Sequence, residues 1–233
     1  MHESHFNWFH YVPVLDKLEP HIAGAIFVSL ILALFALAAR ISLARSPNYL
    51  VPPQRLSFLN LADMISEGLY GMTKSILGDE APKYFPVVGA LFLYVVLNNL
   101  IGLLPGMEPP SANINTNLAC GVFVFLYYNY QGLKHGGLHY LKHFAGPVWY
   151  LSWLLLPVEI ISHTVRPLTL ALRLKGNMVG DHTVLATFTG LAPKGLILPI
   201  PFYFLGLMVC VIQAYIFVML TMVYVSLAKE SDH

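Results

Sequence analysis

Residues 21–39, HIAGAIFVSLILALFALAA, run without a single Asp, Glu, Lys or Arg. A helix needs roughly 20 apolar residues to cross the hydrocarbon core of a bilayer, so this stretch reads as a membrane span. The rest of the chain repeats the pattern. Of its 233 residues 57% are hydrophobic and 11% charged, against about 25% charged in an ordinary soluble domain. The chain therefore falls in the membrane class before any motif is considered. Its formal net charge of +1 leaves no polycationic footprint, and nucleic acid is not an expected partner. Cys120 and Cys210 lie far apart inside apolar runs and read as small core residues, with no spacing that suggests zinc or a disulfide framework. The first residues lack the basic start of a signal peptide.

Charge and periodicity divide the chain as a single membrane domain, 1–233. Residues 1–20 are expected outside the cytoplasm, and 21–40 form the first span. Arg40, Arg45 and Arg55 follow it, which puts that end on the cytoplasmic side. Over 56–77 the apolar residues Phe58, Leu61, Ile65, Leu69, Met72 and Ile76 recur at three- and four-residue steps, while Asp63, Glu67 and Lys74 fall elsewhere. That segment is expected to lie in the interface as an amphipathic helix. Residues 84–132 read as a helical hairpin. Its two spans, 84–104 and a short 117–132, are joined by the Lys- and Arg-free stretch PGMEPPSANINTN, and Lys134, His135, His139, Lys142 and His143 follow the second. Residues 148–228 read as two further helices, each longer than a perpendicular span needs and so tilted. The expected fold is an all-α integral membrane protein of about five crossing helices plus one interfacial helix, with its C-terminus cytoplasmic.

Polar residues interrupt the fifth span in an ordered way. On a helix at about 100° per residue, Glu159, His163, Arg166, Arg173, Asn177 and Asp181 all fall within roughly 40° of one line, and the line is about 33 Å long. That length is comparable with the hydrocarbon core. Lys175 and His182 fall roughly opposite. Each in-membrane charge costs about 2.5–3.5 kcal/mol on insertion scales, so such a row needs water, partners or pairing. One reading is a proton path. The other is a packing seam of salt bridges and hydrogen bonds, and Arg166 alone could instead snorkel to the headgroups. On the last helix Gly206, Cys210, Gln213, Phe217 and Tyr224 align within roughly 60°, with Gln213 open to a functional role or to a helix–helix hydrogen bond.

PLTLALRLKGNMVGDH and IQAYIFVMLTMVYVSLA, with NLIGLLPG and PPSANINTNLA upstream, resemble subunit a of the F-type ATP synthase. The likeness extends over the whole chain from the first span onward. It implies a stationary subunit of the membrane sector beside a ring of c subunits, each with a mid-membrane carboxylate, served by two aqueous half-channels. It implies as partners the c-ring proteolipid, b-type peripheral stalk subunits, the rest of the complex and the lipid of the cell inner membrane, and it implies no cofactor. The family's essential arginine maps to Arg173, its following asparagine to Asn177, its late glutamine to Gln213 and an upstream acidic position to Glu159. Two departures stand out. Lys175 occupies a position that is usually apolar or aromatic. Asp181 and His182 stand together on the fifth helix, whereas the family often places one titratable group on each of the last two helices; the sixth-helix position here is Gly206.

The chemistry suits the assignment. A guanidinium does not deprotonate in proteins, so Arg173 can hold a ring carboxylate and block a proton leak without passing the proton itself. His182, whose type titrates near ambient pH, is expected to be the main outer relay, with Asp181 tuning its charge. His163 and Glu159 belong to the same path. Asn113, Asn115 and Asn117 are candidates for the outer channel mouth or for ordinary loop and cap roles. No P-loop is present, so ATP hydrolysis by this chain alone is not expected. A stand-alone secondary transporter or ion channel is the alternative, with a membrane scaffold third. Transporters of that class often carry repeats and a self-contained site, and neither is evident here.

Overall fold

A computed structural model describes residues 18–45, 58–104, 107, 109–143, 152–191 and 199–230. Most of the expected outer segment 1–20, the loop containing Arg55 and residues 192–195 of the GLAPKG break lie outside the described residues; Gly190 and Leu191 of that break end α5. Every regular element among them is helical: α1 (Pro20–Arg45), α2 (Phe58–Leu77), α3 (Ala81–Ile101), α4 (Ile114–His143), α5 (Ser152–Leu191) and α6 (Pro199–Glu230). Short 3-10 turns at Gly78–Glu80 and Pro110–Ala112 lead into α3 and α4. The first turn opens on Gly78 at φ 59°, a left-handed conformation that glycine adopts without steric cost.

By length and apolarity, Pro20–Ala44, Asn60–Ile101 and Ile200–Lys229 are able to cross a membrane. The middle stretch is 42 residues long, far more than one crossing needs at about 1.5 Å per residue. Its first half, α2, is amphipathic, whereas α3 is apolar around most of its surface. The chain is thus an all-α integral membrane protein. In α4 and α5 the polar side chains dilute the apolar signal, although at 30 and 40 residues both are long enough to cross. Helix α4 also outruns the short span expected at 117–132. Its apolar run stops near Gly132, but the helix continues through Lys134 and His135 until Gly137, at φ 52° and ψ −136°, breaks the helical geometry. Apolarity marks what lipid covers, and a helix needs none to continue.

One core joins five helices, α2 contributing Leu77. Tyr84, Val88 and Val95 of α3 meet Val124 and Tyr128 of α4, Leu170 and Leu174 of α5, and Phe217 and Met222 of α6. Helix α1 lies at the edge, touching the bundle through Ala23, Val28 and Gly24, the last packed on the Pro110 ring. Its other side presents Leu30, Leu34, Leu37 and Ile41 outward, an apolar stripe that suits lipid and would be a liability in water. Lipid is as apolar as these side chains, so helix association here rests on close packing and interhelical hydrogen bonds. The tightest approach is at Gly121 of α4, where an added Cβ would lie 2.6 Å from the Pro167 carbonyl oxygen of α5. At the opposite end of α4, Lys83 Nζ donates to His135 Nε2 at 2.7 Å, and Lys229 of α6 pairs with Glu80.

Gly121→Val should force α4 and α5 apart, because the obstacle is backbone and cannot rotate away. The expected result is a several-fold fall in membrane-inserted protein by immunoblot, with Gly89→Ala, where a Cβ meets only a ring edge at 4.0 Å, close to wild type.

Candidate functional site

Helices α5 and α6 run antiparallel with a fixed register. The Arg166 guanidinium lies 5.2 Å from the centroid of the Tyr224 ring. The Asn177 amide donates to Gln213 Oε1. Phe188 stacks on Phe202 with centroids 3.9 Å apart and planes 14° from parallel. On each helix the rungs are eleven residues apart. Eleven residues are about three turns plus 20°, so every rung returns to nearly the same face, and three rungs cover about 33 Å. The α6 residues expected to align, Gly206, Cys210, Gln213 and Phe217, are buried, and Tyr224 is half-buried.

The polar line of α5 distributes its side chains among several neighbours. His163 meets α4, its Nδ1 3.1 Å from the Tyr128 hydroxyl. Arg166 turns into the bundle toward Tyr224, and Asn177 reaches Gln213, which is 4% exposed. Gln213 accepts at Oε1, while its Nε2 has no protein partner among the described residues. Arg173 is exposed and makes no hydrogen bond or ion pair among the described residues. Gly176 and Gly180 lie beside it with open space where a Cβ would be. Glu159 lies in α5, but its side chain is outside the described set. Lys175 is half-buried.

Asp181 and His182 address different helices. A Cβ on Gly206 would lie 2.8 Å from Asp181 Oδ2, so the carboxyl group rests against α6 where glycine leaves room. A Cβ on Gly102 would lie 2.6 Å from His182 Nε2, so the imidazole rests against the end of α3. Successive helical residues point about 100° apart, which is how one dipeptide reaches two neighbours. Gly206 of α6 thus faces Asp181 directly.

The three asparagines of the outer loop differ. Asn113 caps α4, its Oδ1 accepting from the Asn115 backbone N–H at 2.9 Å, as N-cap side chains do. Asn117 is buried and donates to the Ser111 carbonyl at 2.6 Å. Asn115 is the exposed member. Sequence reasoning passed over Asn98 and Asn99. Both are buried on α3, and Asn99 donates to the Cys210 carbonyl of α6 at 3.5 Å. Asn98, Ser111, Thr116 and Asn117 line a cavity of about 10 Å³ that also touches Leu174, near the minimum volume for one water. Two adjacent carboxamides inside the apolar run of α3 were the signal.

The fold and these side chains define a class: an all-helical membrane protein that carries ionisable and amide groups across its helical bundle. The particular family follows from comparison. Residues 22–226 match the ATP synthase A chain family, and the chain belongs to it. Proteins named ATP synthase subunit a are similar throughout. The one from Bdellovibrio bacteriovorus is 41% identical over 229 residues, covering 98% of this chain and 99% of the relative. Those from Nitratidesulfovibrio vulgaris and Geobacter sulfurreducens are 48% and 44% identical over 174 residues, covering 75% of this chain and 74% and 75% of the relatives.

The Asn177–Gln213 bond is testable by a double-mutant cycle. Each single change to Ala should lower thermal stability in detergent by about 0.5–1.5 kcal/mol, the range for hydrogen bonds between membrane helices. The double variant should cost less than the sum. Strict additivity would mean that the two amides do not interact.

Proposed function

We propose that this chain is the stator subunit of the ATP synthase proton channel and that Arg173 separates its two half-channels. The observation that carries the reading is the state of Arg173. A permanently charged group sits midway along a membrane helix, on an outward face, with no partner among the described residues. Such a charge needs compensation, and a carboxylate on a neighbouring subunit supplies it. The open flank at Gly176 and Gly180 lets another helix approach closely, as small residues do at membrane helix interfaces. The partner facing it is the proteolipid c-ring, with b-type peripheral stalk subunits holding this chain against rotation. A stand-alone transporter is disfavoured because its charges would find their partners within one chain.

Arg173 attracts an ionised ring carboxylate and interacts far less with a protonated one. A ring site must therefore release its proton to one half-channel before it passes Arg173 and reload from the other. The outer half-channel lies between α3, α5 and α6. His182 is its main relay and Asp181 adjusts the local charge, while Asn177, Gln213 and the polar cavity near Asn98 orient water. Asn115 stands at the outer mouth, beside the capping Asn113 and the buried Asn117. Glu159 and His163 belong to the inner side. Five crossings and an interfacial α2, with the N-terminus outside and the C-terminus cytoplasmic in the cell inner membrane, fit the charges. Arg40 and Arg45 end α1, Lys134 ends the apolar part of α4 and Lys229 ends α6, in keeping with the positive-inside rule.

Arg173→Ala is expected to abolish ATP synthesis and ATP-driven proton pumping in an assembled complex. Arg173→Lys should fail or nearly so, because a lysine enclosed between this chain and the ring can deprotonate. Near-normal synthesis by the Lys variant, measured in reconstituted vesicles, would remove the barrier role. Lys175→Phe should retain most activity, since Lys175 lies off the path.

A further inference from the structure

Where α4, α5 and α6 meet on the side of α5 that precedes Arg173, four side chains form a cluster, and the path proposed above uses only one of them, His163, without giving it a step. Tyr128 of α4 is 1% exposed, and its hydroxyl lies 3.1 Å from His163 Nδ1. The Tyr128 and His163 rings are 5.9 Å apart, and the Tyr128 and Tyr224 rings 5.8 Å. Arg166 covers the Tyr224 ring. Tyrosine hydroxyls are not needed for apolar packing, and phenylalanine would fill this core without a polar group to satisfy. The cluster instead fixes one titratable ring at a set angle. His163 is half-buried and lies ten residues before Arg173, about 15 Å along the helix. That places it between the cytoplasmic headgroups and the barrier.

We infer that His163, oriented by Tyr128, is the group that passes protons between the cytoplasm and the ring site beside Arg173. The inference rests on reading Arg173 as the barrier. In the step, Nδ1–H of neutral His163 donates to the Tyr128 hydroxyl oxygen and keeps that bond throughout. Nε2, across the ring, takes a proton from water on the cytoplasmic side and becomes N–H. The same Nε2–H then gives a proton to the water or carboxylate on the ring side, and neutral imidazole returns. One proton enters and one leaves, and no other bond changes. Tyr128 is a positioning residue: it fixes the tautomer and the ring plane, so that the same nitrogen is presented in each cycle. Arg166 cannot relay, and its seat over Tyr224 keeps a fixed charge beside the route. Of the titratable or charged groups in the cluster, Tyr128 of α4 contacts His163 directly, Tyr224 of α6 and Arg166 of α5 pack around Tyr128 and each other, and Glu159 precedes His163 by one turn on α5.

The test uses the whole ATP synthase reconstituted in vesicles, with ATP-driven proton uptake followed across about pH 6 to 9. His163→Gln keeps a hydrogen-bonding side chain against Tyr128 but cannot titrate. It should lower proton flux at least about tenfold, within the range that general acid–base groups contribute. His163→Ala should do the same, and added imidazole should restore part of its flux. Tyr128→Phe keeps the packing and should shift the pH of half-maximal flux by about half a unit or more. Wild-type flux with an unchanged pH profile in assembled His163→Gln complexes would overturn the inference, as would a Tyr128→Phe profile that superimposes on wild type. Arg173→Ala is measured alongside. If it still couples, the barrier reading fails; if it uncouples while His163→Gln behaves as wild type, only the role of His163 fails.

Discussion

A bilayer offers two apolar helices almost nothing for leaving lipid and touching each other. This bundle is therefore organised by contacts that lipid cannot replace. Gly121 allows the α4 backbone to rest on the Pro167 carbonyl of α5. Asn177 and Gln213 bond across α5 and α6, and Asn99 reaches the Cys210 carbonyl. The eleven-residue register between α5 and α6 then carries alignment from Arg166 to Phe188. The polar groups are placed by this register, and their chemistry depends on it.

Arg173 is the exception that gives the register a purpose. Arg166 is satisfied above Tyr224, and Asn177 by Gln213. Between these two rungs Arg173 is exposed and has no hydrogen bond or ion pair among the described residues. Rungs above and below hold α5 so that this residue cannot rotate inward. A guanidinium free to turn would find a carbonyl or ring within the bundle, and under the proposed barrier role it would then be lost to a ring carboxylate. The packing of α5 on α6 and the exposure of Arg173 are thus one arrangement.

The helices were legible where apolarity and period agreed, as in α1, α3 and α6, and α2 showed its amphipathic face. The end of α4 was not, because helix geometry persists through Lys134 and His135 where lipid-facing apolarity has ended. The helical wheel placed the polar residues of α5 on one side but gave only direction around the axis. A helix of 40 residues meets α4 near His163, α6 at Asn177 and the end of α3 at His182, so residues with nearby azimuths have unrelated neighbours. Asn98 and Asn99 escaped because hydropathy averages hide two carboxamides in an apolar run.

The Asp181–His182 pair shows what such a helix can do with adjacent positions. Two titratable groups on facing helices must be held at the right separation by helix packing, and any slip changes their distance. Two groups on successive residues of one helix keep a fixed relation, set by the backbone, at the cost of pointing about 100° apart. The bundle answers that divergence with two glycines. Gly206 on α6 leaves space for the aspartate and Gly102 at the end of α3 leaves space for the histidine. Side chains at either position would push α5 away from its neighbour. The small residues on α3 and α6 and the titratable residues on α5 therefore form one arrangement, in which both titratable groups stay on a single helix and the neighbouring helices make room for them.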